Sequence, residues 1–207
     1  MRHPAARILI FAKAPAAGRV KTRLIPALGP QGAAELHARL LGEVVARLSA
    51  ARIAPIELWC DPDPAAVPFA RLARAYGLTC HRQQGADLGE RMRRAAAEAL
   101  GRGAPVLLVG TDCPPLDGAY VASALAAMAG QDAVLGPAED GGYVLLGLRR
   151  AAPELFADLP WGTEQVAAIT RERMQGLGWR WAEQPALWDL DRPADLPRYA
   201  AFSPDGG

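Results

Sequence analysis

Short apolar segments alternate with helical segments along most of the chain, and this order is the feature that most constrains the fold. Residues 6–12, ARILIFA, are apolar apart from Arg7, and residues 105–110, PVLLVG, are apolar throughout, which is typical of strands buried on both faces. Between them, residues 29–51 carry leucines and valines at helical spacing and predict a long amphipathic helix. Strands that alternate with helices in this way indicate right-handed β-α-β units.

The same reading, extended to the whole chain, predicts an α/β fold. The sheet is expected to be single, doubly wound and mostly parallel, with helices on both faces, in one domain covering residues 1–207. We expect the last residues, SPDGG at 203–207, to fray. Strands are predicted at residues 6–12, 56–60, 78–82, 105–110, 132–138, 142–148 and 179–183, and helices at 29–51, 68–77, 87–103, 118–130, 163–178 and 193–202.

Bulk composition excludes several classes of protein. A formal net charge of +1 gives no reason to expect binding to nucleic acid. The apolar run at residues 8–12 is too short for a membrane span or a signal segment. Cys60, Cys80 and Cys113 are far apart and form no C-x-x-C pair, so neither a disulfide framework nor a zinc ribbon is indicated. We therefore expect a cytoplasmic protein without a membrane span, and nothing in the sequence specifies its oligomeric state.

A basic loop follows the first predicted strand, at residues 11–24, FAKAPAAGRVKTRL. No acid precedes Glu35, and Gly18 is the only glycine between Phe11 and Leu28. That spacing excludes both the Walker A loop and the dinucleotide fingerprint, which need more glycines. The loop is either a solvated basic turn or a clamp that holds a diphosphate or triphosphate through side chains. We favour the clamp, because ligands bind at the carboxyl ends of parallel strands. Its candidate phosphate contacts are Lys13, Gly18, Arg19, Lys21 and Arg23.

Acidic residues follow other predicted strands. Asp112 comes directly after the strand at 105–110, and Asp189 and Asp191 share one face if their segment is extended. Magnesium prefers one or two carboxylates together with phosphate oxygens and water, so these residues are candidate ligands for Mg²⁺ or Mn²⁺. Helix capping is the ordinary alternative for acids at such positions.

Further candidates lie in the remaining loops at the same edge of the predicted sheet. Gly89 follows the loop at 83–88, at a helix start where backbone N–H groups favour an anion, although capping by Asp87 explains that loop equally well. The EDGG turn is either an ordinary hairpin turn or a source of contacts to a sugar or an acceptor. His37 and His81 lack the partners of a catalytic triad and are assigned no function. The candidate sugar or acceptor contacts are Glu139, Asp140, Tyr143 and Trp161.

Five motifs, which follow one another along nearly the whole chain, resemble those of a bacterial family in the nucleotide-diphospho-sugar transferase superfamily. That family has the glycosyltransferase-A fold, and its members are usually labelled glycosyltransferases, some of them linked by name to arsenosugar biosynthesis. The resemblance implies that Asp112 and Asp191 are metal ligands and that the basic loop binds nucleotide phosphates, with Lys21, Arg23 and Asp112 acting in catalysis. The motifs are FAKAPAAGRVKTRL, GADLGERM, VGTDCPPL, EDGGYVLLGL and WDLDRPADL.

Two reactions fit this frame almost equally well, each with a small-molecule acceptor. In a glycosyltransferase, the family's usual label, the site holds the diphosphate of a nucleotide sugar as the leaving group. In a nucleotidyltransferase it holds an NTP, and a phosphate of the acceptor attacks the α-phosphorus and releases pyrophosphate. The dense basic loop resembles the second group more closely. A nucleotide-binding module without catalysis is the third hypothesis.

Overall fold

The computed structural model describes residues 2–103 and 105–202, so the segment at 203–207 lies outside the described residues. The strands are β1 (Arg7–Lys13), β2 (Ile56–Asp61), β3 (Thr79–Arg82), β4 (Val106–Val109), β5 (Ala133–Pro137), β6 (Tyr143–Leu148) and β7 (Trp181–Glu183). The α-helices are α1 (Ile25–Ala51), α2 (Val67–Tyr76), α3 (Leu88–Gly101), α4 (Gly118–Ala127), α5 (Val166–Gly176) and α6 (Leu196–Ala201).

The strands form one seven-stranded sheet in the order β3-β2-β1-β4-β6-β5-β7. Neighbouring strands are parallel except at β6, which is antiparallel to both β4 and β5. The reversal follows from the EDGG turn, because the connection from β5 to β6 is too short for the crossover that a parallel pair requires. The predicted fold, a mostly parallel α/β sheet, is confirmed.

Helices cover both faces of the sheet, as the unbroken apolar strands require. In β1, Ile8 and Ile10 face a core formed with α1, α2 and α4, whereas Leu9 faces a second core formed with α3 and α5. All three side chains are at most 1% exposed. Because successive side chains of a strand point to opposite faces, a run such as RILIFA can bury itself only between two layers of helices.

The start of α1 differs from the prediction. The helix begins at Ile25, and Gly29, with φ of 70°, interrupts it before Pro30. Residues 25–28 therefore form a separate turn that continues the basic loop, and the long helix predicted from residue 29 follows it.

This turn is anchored by a small apolar cluster. Leu24, Leu36 and Leu40 pack with Trp188 and Leu190 there, so the end of the basic loop is held against a segment near the end of the chain. In the described part of the chain, no helix is long and apolar enough to cross a membrane.

Candidate functional site

A cavity of about 490 Å³ lies at the edge where β1, β2 and β4 end, which we call the carboxyl edge. Residues 11–13 and 109–113 contribute the ends of β1 and β4. Another wall comes from Ala138, Asp140, residues 142–144 and residues 161–163, and Asp189 and Asp191 also line the cavity. The position is the one expected for a mostly parallel sheet, where the loops that follow the strands surround the ligand.

The basic loop divides into side chains that face solvent and one that is internal. Lys13 is exposed and lines the cavity, whereas Arg19 is exposed on a turn stabilised by a 3.0 Å hydrogen bond from its N–H to the carbonyl of Ala16. Gly18, with φ of 76°, supplies the left-handed residue of this turn. Arg23 lines the cavity but pairs with the Asp191 carboxylate, and its Nη2 donates to the Gly162 carbonyl at 3.3 Å.

Lys21 is the internal member of the loop. Its side chain is 2% exposed, its ammonium donates to the Leu190 carbonyl, and its Nζ lies 3.0 Å from Oδ1 of Asp112. The phosphate contact predicted for Lys21 stays a prediction. In the structure, its ammonium is paired with groups of the protein itself, the Asp112 carboxylate and the Leu190 carbonyl.

Asp112 lies just past β4, as predicted, with its side chain 47% exposed. One of its oxygens, Oδ1, is buried and receives no hydrogen bond of good geometry, although two nitrogens lie near it: Nζ of Lys21 at 3.0 Å and Nδ1 of His37 at 3.8 Å. A carboxylate held in this way, with its other edge open to the cavity, suits a hard cation that also binds phosphate oxygens and water.

Asp189 and Asp191 differ in their surroundings. Asp191 pairs with Arg23, and this hydrogen bond raises the pKa of the guanidinium. Burial raises the pKa of Asp189 to about 6, and the nearby carboxylate of Asp140 adds to the rise. The described residues contain no group of three or more His, Cys, Asp or Glu side chains arranged around one point for a metal. Asp112, Asp189 and Asp191 line the same cavity, where a cation could also bind oxygens of a substrate.

The four predicted sugar or acceptor contacts separate into two groups. Glu139 forms a bidentate ion pair with Arg198, at 2.7 and 3.1 Å, and is exposed. Asp140 lines the cavity, and its Oδ1 accepts from the Gly142 N–H at 2.8 Å. Tyr143 and Trp161 also line the cavity, with ring centroids 6.1 Å apart in an edge-to-face arrangement. The Tyr143 hydroxyl is buried without a hydrogen-bond partner among the described residues, and burial raises its pKa.

Gly89 lies in the first turn of α3, where the Asp87 side chain caps the helix by accepting from the Glu90 N–H. A Cβ at Gly89 would lie 2.4 Å from the Phe156 carbonyl and 2.8 Å from Nε1 of Trp161. The glycine therefore lets α3 pack directly against the wall that carries Trp161. The predicted phosphate contact at Gly89 stays a prediction, and the contacts present explain the glycine by close packing.

Two side chains that line the cavity, His37 and Gln83, were not among the site residues predicted from the sequence. His37 is 5% exposed, and its Nε2 lies 2.8 Å from the Lys13 carbonyl. Since that carbonyl is an acceptor, Nε2 carries the proton. The signal was present in the sequence, because His37 shares a helix face with Leu41 and Val44, which are buried. Gln83 donates to the carbonyls of Ala12 and Trp59, at 3.1 and 2.8 Å, and so fastens β1 to β2 where both end.

Comparisons with known proteins agree with this geometry. A crystal structure from Desulfovibrio desulfuricans G20, provisionally named a nucleotide-diphospho-sugar transferase, superimposes with a TM-score of 0.85 at 32% identity, over 97% of this chain and 89% of that one. The fold is thus that of the nucleotide-diphospho-sugar transferase superfamily. The chain belongs to the family described as "Uncharacterized protein conserved in bacteria (DUF2064)", whose model matches residues 44–163.

Two further relatives extend the comparison. A phosphoenolpyruvate guanylyltransferase of Sphaerobacter thermophilus is 31% identical over 196 residues, which are 90% of this chain and 89% of the relative. A cytidylyltransferase of Leptospira borgpetersenii superimposes with a TM-score of 0.61 at 14% identity, over 99% of this chain and 91% of that one, and shows the shared fold alone. The prediction that the chain is a transferase is confirmed.

The close approach at Gly89 predicts the effect of a methyl group. Gly89→Ala should lower the free energy of unfolding by about 1–3 kcal/mol, because the backbone carbonyl of Phe156 cannot move away as a flexible side chain would. Gly101→Ala, at the other end of α3, is the matched control. Its Cβ would meet nothing within 4 Å, so it should be neutral or slightly stabilising. Urea unfolding of both variants measures the difference. Equal stabilities would show that the surroundings of Gly89 can accommodate a methyl group without cost.

The raised pKa of Asp189 predicts a dependence of stability on pH. Folded Asp189 keeps its proton up to about pH 6, whereas the unfolded group releases it near 3.8. Stability from this group is therefore lost as the pH rises between these values and stays lost above them. Asp189→Asn lacks this loss, so its free energy of unfolding relative to wild type should increase between about pH 4 and about pH 7.5.

Urea unfolding in EDTA at both pH values measures this difference, and subtraction of the wild-type values removes the contribution of other groups. A difference that is constant, or that decreases with rising pH, would show that the Asp189 carboxyl titrates normally.

Proposed function

We propose that this protein is a metal-dependent nucleotidyltransferase that couples an NTP to a small phosphorylated acceptor and releases pyrophosphate. The observation that carries the proposal is the similarity to a guanylyltransferase along 90% of the chain. This similarity supports nucleotidyl transfer, whereas the family's usual label favours glycosyl transfer. Nucleotidyl transfer is also the reaction that the density of the basic loop favours.

The geometry of the cavity supports the same chemistry. In the proposed reaction an oxygen of the acceptor's phosphate attacks the α-phosphorus, the bond from that phosphorus to the bridging oxygen breaks, and pyrophosphate leaves. Catalysis of this kind depends on positioning and on stabilising negative charge. Lys13 and Arg23 line the cavity and are the cationic members of the basic loop that can reach phosphate oxygens there.

The carboxylates supply the remaining part of the proposed site. Asp112, with Asp189 or Asp191, would hold Mg²⁺ or Mn²⁺, and such an ion neutralises phosphate charge when it is bound. Asp191 is already paired with Arg23, whereas Asp189 is half-buried beside Asp140. A cation near Asp189 would favour its ionised form and offset the repulsion between these two acids.

The acceptor is proposed to lie against the wall formed by Tyr143 and Trp161. Both rings line the cavity and can pack against the acceptor, whereas the Tyr143 hydroxyl is buried. The name of the Sphaerobacter relative makes phosphoenolpyruvate the first acceptor to test, with GTP as the first nucleotide.

Glycosyl transfer is the second candidate. It is favoured by the structure from Desulfovibrio desulfuricans, whose provisional name refers to a nucleotide sugar. Both reactions require the site to hold the phosphates of a nucleotide. They differ in the atom that is attacked, which is phosphorus in one and a sugar carbon in the other, and in the leaving group, which is pyrophosphate in one and a nucleoside diphosphate in the other.

Product analysis separates the candidates. With Mg²⁺, wild-type protein should release pyrophosphate from an NTP only when a phosphorylated acceptor is added. Asp112→Asn should lower kcat/KM by roughly 100-fold or more, because a carboxylate of the proposed cation site is lost. Asp117→Asn is the control, since Asp117 caps α4 outside the cavity and asparagine can also cap.

Each alternative has its own signature in that assay. Release of NDP from a nucleotide sugar, without pyrophosphate release from any NTP, would overturn nucleotidyl transfer in favour of glycosyl transfer. Nucleotide binding without turnover, across a panel of NTPs, nucleotide sugars and phosphorylated acceptors, would support the module without catalysis.

A further inference from the structure

The side chains of the two lysines in the basic loop have different environments. Lys13 is exposed at the cavity, whereas the Lys21 side chain is 2% exposed. A buried ammonium is costly unless anions and hydrogen-bond acceptors surround it, so its partners are part of the reason the loop folds as it does.

The backbone directs Lys21 inward. Its φ of 47° and ψ of 41° are left-handed, an uncommon conformation for a lysine. The next turn begins there, with the Leu24 N–H donating to the Lys21 carbonyl at 2.9 Å. Leu24 is fully buried against Trp188 and Leu190. The apolar cluster thus fixes the loop in a position from which the ammonium points into the protein.

Three contacts form a closed arrangement around this ammonium. It donates to the Leu190 carbonyl, and it lies 3.0 Å from Oδ1 of Asp112. The third contact joins the two partners directly, because the Leu190 N–H donates to the Asp112 carbonyl at 2.8 Å. Leu190 is flanked by Asp189 and Asp191. Beside this backbone hydrogen bond, the Lys21 side chain therefore supplies a second link between the loop after β4 and the segment that carries the other two acids of the cavity.

We propose that Lys21 is a positioning residue, which holds Asp112 and the segment 189–191 together and does not contact the nucleotide's phosphates. Its ammonium acts as a permanent internal cation between Asp112 and Leu190. Lys13, the exposed lysine of the same loop, has the opposite role and meets the phosphates. The positioning role is independent of the reaction. Only its consequence for turnover rests on the proposed function.

The sign of a stability change distinguishes this role from the alternatives. Asp112 lies in the same cavity as Asp140, Asp189 and Asp191, so neutralising it would ordinarily relieve repulsion and raise the melting temperature. If Lys21 depends on Asp112, Asp112→Asn instead leaves a buried ammonium without its anion. The melting temperature in EDTA, without nucleotide, should then fall by about 5 °C or more.

Removing the ammonium as well should reverse part of that loss. The double variant Lys21→Met with Asp112→Asn has no buried charge left unpaired, so it should melt at a higher temperature than Asp112→Asn alone. A rise in the melting temperature of Asp112→Asn, or a double variant that melts lower still, would overturn the proposal. This comparison remains decisive if Lys21→Met alone fails to fold.

Hydrogen exchange locates the effect. In Lys21→Met, the backbone amides of residues 187–191 should exchange faster than in wild type, because the segment loses the link through the ammonium and keeps only the Leu190 N–H bond to the Asp112 carbonyl. Lys13→Met is the matched control and should leave both this exchange and the melting temperature unchanged. Unchanged exchange in both variants would contradict a positioning role for Lys21.

Kinetics give a readout that general destabilisation does not mimic. Lys21→Met should lower kcat about tenfold with little change in the KM for NTP, since the acids are displaced and the phosphate contacts remain. Lys13→Met should raise that KM, and more strongly at low salt than at high salt. A salt-dependent rise in KM for Lys21→Met would assign Lys21 to the phosphates instead. If wild type shows no turnover, the proposed function fails, and the melting and exchange measurements still test the position of Lys21.

Discussion

The parallel pairing of β1 with β4 is the contact on which the site depends. Ile10 lies beside Val109 in this pairing, so the two strands end at the same edge of the sheet. The loop after β1 carries the lysines and arginines, and the loop after β4 carries Asp112. Without that register, the basic loop and this acid would lie in unrelated parts of the protein. The antiparallel β6 completes the arrangement, because its pairing with β4 brings Tyr143 to the same edge.

Once these loops meet, most of the charges at the carboxyl edge neutralise each other. Lys21 pairs with Asp112, Arg23 with Asp191, and Arg91 with Asp61. A basic loop that has no acid beside it over the first 34 residues is thus partly neutralised, at Lys21 and Arg23, by acids from distant parts of the chain. This balance explains how a lysine can be buried at the edge of a ligand cavity: its desolvation is offset by a carboxylate and a carbonyl that are present before any ligand binds.

The sequence predicts the fold well and indicates the edge of the sheet at which the cavity lies, whereas it predicts individual contacts much less well. Apolar runs buried on both faces require two layers of helices, and parallel strands place ligands at their carboxyl ends, so both conclusions follow from local patterns. The partners of Lys21 do not follow from local patterns in this way. They depend on a left-handed residue and on the packing of Leu24 against Leu190, which no local pattern encodes. Glu139 illustrates the same limit, because its pairing with Arg198 joins a turn to the last helix.

The charges that remain bear on how either proposed reaction would accommodate a nucleotide. Lys13 takes part in none of these pairs among the described residues and is exposed at the cavity, while Asp140 and Asp189 are near enough to repel each other. Side chains alone would therefore balance only a small part of the charge of a triphosphate or a diphosphate. A divalent cation on Asp112 would supply the difference in both reactions. The charges thus support the proposed metal dependence, whereas in the proposed site the choice between phosphorus and a sugar carbon would depend on what Tyr143 and Trp161 hold against the phosphates.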